Sequence, residues 1–323
     1  MSLNLITDEV EILIDVLKRI HNNKPIKKEK WDELFNSNGF KMLARRETEM
    51  NEGIDKPEFK EFVVNKITSD KYITYKKSLQ KLKSVNLDDI IKRTRDYLPD
   101  NTRLDTAIVP VIKPQKNSFI HRINDRLILF LYLEPDIIKE KLENKLIHEL
   151  HHIGLDYVYQ NSDYSCLSKP AQKVIEWTNA FGEGFAMLAA AKGLENHPNK
   201  FDEDLKIKWD KNMENFNKDF LKIQNFLLAI LEGHFADDQK LYNRGFQLMT
   251  NNDGQGSWYT VGYQIAVIIE REAGREVLIE CMKDLTKIYF QFNNLVEIYN
   301  KKRNEDLPKW NDKILTSLKR KRI

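Results

Sequence analysis

His148-Glu149-Leu150-His151-His152 reads as H-E-x-x-H inside a helical pattern running from about Asp136 to Tyr159. At about 100° of rotation per residue, side chains four apart share a helix face, so His148 and His152 can turn their imidazoles to one metal ion. Glu149 stands one step round, beside the ion rather than on it. A carboxylate there can take a proton from a water that the ion has made acidic. Five residues with two wildcards also arise by chance, so the context has to support the motif. Here Ile138, Leu142, Leu146, Leu150, Ile153 and Tyr157 form an apolar stripe at helical spacing, and Pro135 stands at a helix start. The two histidines lie off that stripe. His151 falls on a different face from His152, where packing or support of a ligand is the expected role.

Upstream, Thr106-Ala107-Ile108-Val109-Pro110-Val111-Ile112 and Leu127-Ile128-Leu129-Phe130-Leu131-Tyr132-Leu133 are β-branched and apolar runs that read as strands. Pro110 and Pro114 place the first at an edge or end it early. The second leads through Glu134-Pro135-Asp136 into the motif helix. His121, in the same region, is expected to be structural. From Leu3 to about Leu98 the spacing is helical almost throughout, cut at Asn22-Asn23-Lys24-Pro25, Asn36-Ser37-Asn38-Gly39 and Lys56-Pro57. Arg45-Arg46-Glu47 reads as a charged helix face.

Downstream, Ser168-Lys169-Pro170 opens a helix expected to run to Gly193. A catalytic zinc takes three protein ligands and a water, so one ligand is still wanted. Gly154-Leu155-Asp156-Tyr157-Val158-Tyr159 offers no third histidine, which closes the metzincin route. Glu176 and Glu183 remain, seven apart and therefore on one face. Glu183 is preferred, because Gly182, Gly184 and Ala186 let its helix come close, whereas Glu176 precedes bulky Trp177 and suits support of an imidazole N–H. The region from about Phe201 to Asn300 is again helical. Its turn-rich break, Asn251-Asn252-Asp253-Gly254-Gln255-Gly256-Ser257, feeds a helix that ends near Gly274. Tyr259 and Tyr263 on that helix, and His234 at an earlier helix end, are candidates to donate a hydrogen bond to a developing oxyanion.

With 323 residues, 41% of them hydrophobic and 31% charged, the chain is long enough for a sizeable core and does not depend on a metal to fold. No run approaches a membrane span. The first twenty residues hold Asp8, Glu9, Glu11 and Asp15, unlike a secretion signal, so a cytoplasmic protein is expected. Cys166 and Cys281 are too few and too far apart for a disulfide framework and are poor ligand candidates. A net charge of +3 announces no nucleic-acid partner, and the basic end Lys319-Arg320-Lys321-Arg322 reads as a solvated tail.

Taken together, the H-E-x-x-H run, Glu183-Gly184-Phe185-Ala186 and Tyr259-Thr260-Val261-Gly262-Tyr263 resemble the gluzincin-type zinc metallopeptidases, and more closely a bacterial family of zinc-dependent peptidases. The resemblance covers roughly residues 100–275. It implies one zinc per chain held by His148, His152 and Glu183, with Glu149 as general base and Tyr259 or Tyr263 as oxyanion donor. It also implies that the strand Leu127–Leu133 borders the cleft and pairs with an extended peptide. The 31 residues from His152 to Glu183 exceed the spacing in thermolysin-like relatives, where a nearer residue such as Glu176 is the expected ligand.

The expected fold is α+β and mainly helical: a helical section over 1–98, then a zincin-like domain over 99–323 with a small sheet before the motif helix and a helical C-terminal part. The site is expected between the 136–159 and 170–192 helices. The expected activity is zinc-dependent hydrolysis of a peptide or protein substrate, with no nucleic-acid or membrane partner. Two rivals share the same residues: an inactive zincin-like protein that binds peptides or regulates, and a zinc hydrolase acting on a non-peptide substrate.

Overall fold

The computed structural model describes residues 3–50, 55–235, 237–251 and 254–319. Of the residues discussed above, Asn252, Asp253 and Arg320–Arg322 lie outside these. The chain is mainly helical with a small four-stranded sheet, and it clusters into two compact units, Met1–Ile91 with Arg103–Ile153, and Lys92–Thr102 with Gly154–Ile323.

The first unit begins with β1 (Leu3–Leu5), followed by α1 (Asp8–His21), α2 (Lys28–Asn36), α3 (Asn38–Glu49), α4 (Lys56–Glu61), α5 (Tyr72–Lys83) and α6 (Leu87–Arg95). Then come β2 (Thr106–Val111), β3 (Phe119–Ile123), β4 (Arg126–Tyr132) and the motif helix α7 (Lys139–Gln160), which passes into the second unit after Ile153 as α6 does after Ile91. Strand order is β1-β2-β4-β3, parallel except for the β3–β4 hairpin, whose two turn residues Asn124 and Asp125 both have positive φ. Such a turn matches the strands' own twist and suits Asn and Asp.

Three expectations change here. β1 is a strand where the sequence reads as helix, because three residues are too few to show a period. β2 is central in strand order although it holds Pro110. Ile6 N–H donates to Ile108 O at 3.0 Å and Leu133 N–H to Val111 O at 2.9 Å, so Pro110, in phase with Ile108, faces the β1 side just past that strand's end. Its missing N–H costs no ladder bond. β4 is flanked on both sides, so it has no free edge for a peptide. The edges are β1 and β3.

β2 and most of β4 are buried on both faces. Ala107, Val109, Val111, Ile128 and Phe130 form a core with Leu43 of α3. The run Arg45-Arg46-Glu47 is not a solvated face either, since Arg46 and Glu47 are buried. They form an ionic cluster with buried Lys113 in which Glu47 accepts from Arg46 at 3.1 Å, and both cations stand over the Phe119 ring. His121 is structural, at 2.6 Å from Glu49.

α7 starts three residues later than its spacing suggests, because Asp136 takes a left-handed φ of 56° that a helix cannot continue. Its start is pinned instead. Glu134 accepts from Lys141 at 2.7 Å and Lys145 at 2.9 Å, and its carbonyl accepts from Ser78 of α5. Burial pushes the Glu134 carboxyl up, but the two ammonium bonds outweigh it and hold it below the usual range. Along the expected stripe, Leu142, Leu146, Leu150 and Ile153 are buried, while Ile138 precedes the helix and is exposed.

The second unit holds α8 (Lys169–Thr178), α9 (Gly182–Ala190), α10 (Glu203–Glu214), α11 (Phe216–Leu231), α12 (Asp238–Gln247), α13 (Ser257–Ala273), α14 (Arg275–Lys283), α15 (Thr286–Arg303) and α16 (Asp312–Leu318). The helix expected from Ser168 to Gly193 is α8 and α9 joined by a 3₁₀ turn over Asn179–Phe181, with Ser168 capping Ala171 N–H. The break before α13 holds a short hairpin, Thr250–Asn251 with Gly254–Gln255. α13 is central, packed by α9, α11, α14 and α15, and Trp310 closes an aromatic core with Phe220 at 4.1 Å and Tyr289 at 5.0 Å. No described helix is long and apolar enough to cross a membrane.

One acid in the first unit is out of place. Glu9 is fully buried with neither carboxyl oxygen partnered, while its neighbour Asp8 accepts from the Asn38 and Gly39 N–H groups at the start of α3. Burial, and then the Asp8 charge, hold the Glu9 carboxyl well above its ordinary range. A folded-state pKa above the unfolded one means that the native state binds the extra proton, so stability is greatest in acid and falls as pH rises from roughly 4.3 towards the folded value. Glu9→Met is expected to raise unfolding stability at pH 8 by about 1–3 kcal/mol and to flatten this slope in urea titrations run from pH 5 to 8.

Candidate metal centre

α7 carries His148 and His152 one turn apart, both half-buried. Their Nε2 atoms lie 3.2 Å apart with the rings edge to face. Two imidazoles bound to one tetrahedral zinc at the usual Zn–N length would hold their nitrogens roughly 3.3 Å apart. The pair is therefore already spaced for a shared ion. Glu183 of α9 completes the group, and one ligand atom from each of the three lies within 4.8 Å of the others. Among the described residues this is the one such cluster of three or more His, Cys, Asp or Glu side chains. Two imidazoles and a carboxylate suit zinc in chemistry as well as number.

α9 explains why Glu183 is there. Every other residue from Gly182 to Ala190 is buried, so Glu183 is the single acid on an otherwise apolar helix. A carboxylate in that setting needs a positive partner or a metal. The glycine after it, Gly184, is held close to α13. A Cβ on Gly184 would stand 2.0 Å from Tyr263 N and 2.7 Å from Tyr259 O, and one on Gly262 would stand 2.7 Å from Phe181 O. The small residues let α9 cross α13 backbone to backbone.

Glu176 is not in the cluster. It lies on α8, 63% exposed, and pairs with Lys173 at 3.1 Å. Glu176 and Glu183 are on one helical path, but seven residues rise about 10 Å, too far for both to meet one ion. Glu149 is half-buried on α7 and His151 fully buried. The tyrosines separate. Tyr263 is buried with its ring edge-on to Trp209 at 5.2 Å, and burial pushes its phenol up to about 12, whereas Tyr259 is half-buried one turn earlier. His234 is exposed beside Glu232, and His197 is held by Asp210. Cys166 is exposed and Cys281 buried.

A family model described as "Putative zinc dependent peptidase (DUF5700)" matches residues 31–306. Neither the curated proteins nor the solved structures give a match.

The α9–α13 crossing sets a test on stability. Gly184→Ala drives a methyl into a neighbouring backbone that no rotamer change can clear, and is expected to cost about 1–3 kcal/mol in chemical denaturation. Ala186→Gly, two residues on, is expected to cost about 1 kcal/mol from helix propensity.

Proposed function

The chain belongs to the DUF5700 family, and from that premise we propose that it is a zinc-dependent peptidase of zincin-like fold, with one zinc held by His148, His152 and Glu183. The observation that carries this reading is the convergence of two imidazoles from one helix with the only acid of another. When bound, the ion supplies a Lewis acid that makes a water acidic and polarises the scissile carbonyl.

The chain's own groups do the rest. Glu149, the residue after His148, takes the proton of the attacking water on its carboxylate and delivers it to the leaving amine nitrogen. Tyr259 donates its phenolic hydrogen to the oxygen that gains charge as the carbonyl becomes tetrahedral. It is preferred to Tyr263, whose ring is taken up by Trp209. The substrate backbone aligns in extended form, and β3 is the hairpin edge to receive it, since β4 has neighbours on both sides.

Elemental analysis of the purified, zinc-supplied protein is expected to find about one zinc per chain, as a three-ligand catalytic site requires. His152→Ala and Glu183→Ala should lose it. Glu149→Gln should keep the zinc and lower peptide hydrolysis by about 10²–10⁴-fold, the usual contribution of a positioned acid–base group. Full zinc retention without Glu183, or undiminished hydrolysis by Glu149→Gln, would overturn the assignment.

A further inference from the structure

A pocket of about 370 Å³ lies where α10 gives way to α11, wholly within the second unit. Its size falls in the range of small-molecule sites, roughly 300–1,000 Å³. Only Asn215 separates the two helices. Lys208 and Lys211 line the pocket from α10, three residues apart, and Lys218 and Lys222 line it from α11, four apart. Each pair therefore shares one face of its helix.

These four lysines meet a single carboxylate in the lining. Asp219 is buried and accepts from Lys222 at 2.6 Å, which fixes that ammonium in place. Lys208, Lys211 and Lys218 have no ion-pair partner among the described residues, and all four lysines are exposed. Like charges at helical steps of three and four destabilise one another. Helix electrostatics accounts for only part of the group. Lys211 suits the last turn of α10, whereas Lys218 stands in the first turn of α11, where the helix dipole disfavours a cation. An anion between the helices would relieve both kinds of repulsion.

The surroundings define that anion. Elsewhere on α10 charge is balanced, since Glu203 pairs with Lys206 at 3.9 Å and Asp210 holds His197 at 2.9 Å, while Asp204 and Glu214 are exposed acids. The positive field is thus confined to the pocket, and the basic stripe or face that a nucleic acid or an anionic bilayer requires is not formed. The side-chain NH₂ groups of Asn212 and Asn215 donate to Gln255 O and Lys211 O, each at 2.8 Å, so the donors left to the pocket are ammonium groups. Ammonium groups act as point charges and set no fixed angle, which suits the many equivalent oxygens of a phosphate chain. One phosphate monoester carries at most about two negative charges at neutral pH, too few for three unpaired ammoniums.

We propose that this pocket binds a small polyphosphate, a chain of linked phosphates carrying at least three negative charges, held by Lys208, Lys211 and Lys218 with Lys222 beside them. This inference is independent of the peptidase reading. The lysines are exposed, so substituting them disturbs no packing.

Isothermal titration calorimetry of the full-length protein with inorganic triphosphate should find one saturable site, whose affinity falls as salt rises from about 50 to 200 mM and screens the exposed charges. Lys211→Gln and Lys218→Gln should each weaken binding about tenfold, the effect of one charged hydrogen bond. Lys206→Gln removes the same charge from the same helix outside the pocket and should change binding by less than about twofold. Absence of a saturable site, or equal losses in all three variants, overturns the proposal. Heat that no lysine substitution alters is chelation of metal by the probe and overturns it as well. A single-stranded oligonucleotide that binds through these lysines where triphosphate does not would overturn it in favour of an extended polyanion. ATP forms the second arm and identifies the source. ATP binding tighter than triphosphate, by a margin that Ile207→Ser removes, supports the site as one for a nucleotide whose base rests on exposed Ile207 of the lining. Equal or weaker ATP binding, still lost in Lys218→Gln, supports it as a site for the phosphate chain alone.

Discussion

The helix that carries Glu183 is locked against α13. Eight of the nine residues of α9 are buried, and at Gly184 and Gly262 its backbone touches that of α13 with no side chain between. Packing of this kind is as dense as a crystal of small molecules, and a shift the size of one methyl group is resisted by both helices. The backbone position of Glu183 is therefore set by the buried residues on either side of it.

At its other end the centre depends on α7 beginning in the right place. The left-handed Asp136 forbids an earlier start, and Glu134, clasped by Lys141 and Lys145, ties the first turns of the helix back to the strand it follows. These are partly exposed ion pairs, worth little singly. Their value is register. One residue of slippage would turn His148 and His152 by 100° and replace them on that face with other side chains.

The first unit keeps charge in its interior at visible cost. Arg46, Glu47 and Lys113 are buried against Phe119, and Glu9 is buried with no partner for either oxygen. A well-packed apolar replacement often matches or exceeds the stability of such groups. The ionic cluster also joins α3 to the start of the edge strand β3, through Arg46 and Phe119. The pH-dependent penalty of Glu9 acts on the same unit, where the neighbouring Asp8 caps α3.

Local sequence determined much of this protein. The spacing of Leu142, Leu146, Leu150 and Ile153 defines α7 and, by subtraction, the face on which His148 and His152 stand. Ser168 before Pro170 marks the start of α8, and Gly274 the end of α13. These signals repeat within one turn, so they need no knowledge of distant residues. Glu183 and Glu176 were both within reach of the sequence as candidates, whereas the contact of Gly184 with α13 was not. Tertiary structure decided what lies opposite what. β1 is too short to show a period and exists because β2 pairs with it. Pro110 is tolerated in a central strand because β1 stops short of it. Arg46 and Glu47 look like a solvated pair until the sheet covers them. Each of these depends on contacts between residues far apart in the chain, and no local pattern encodes such a contact.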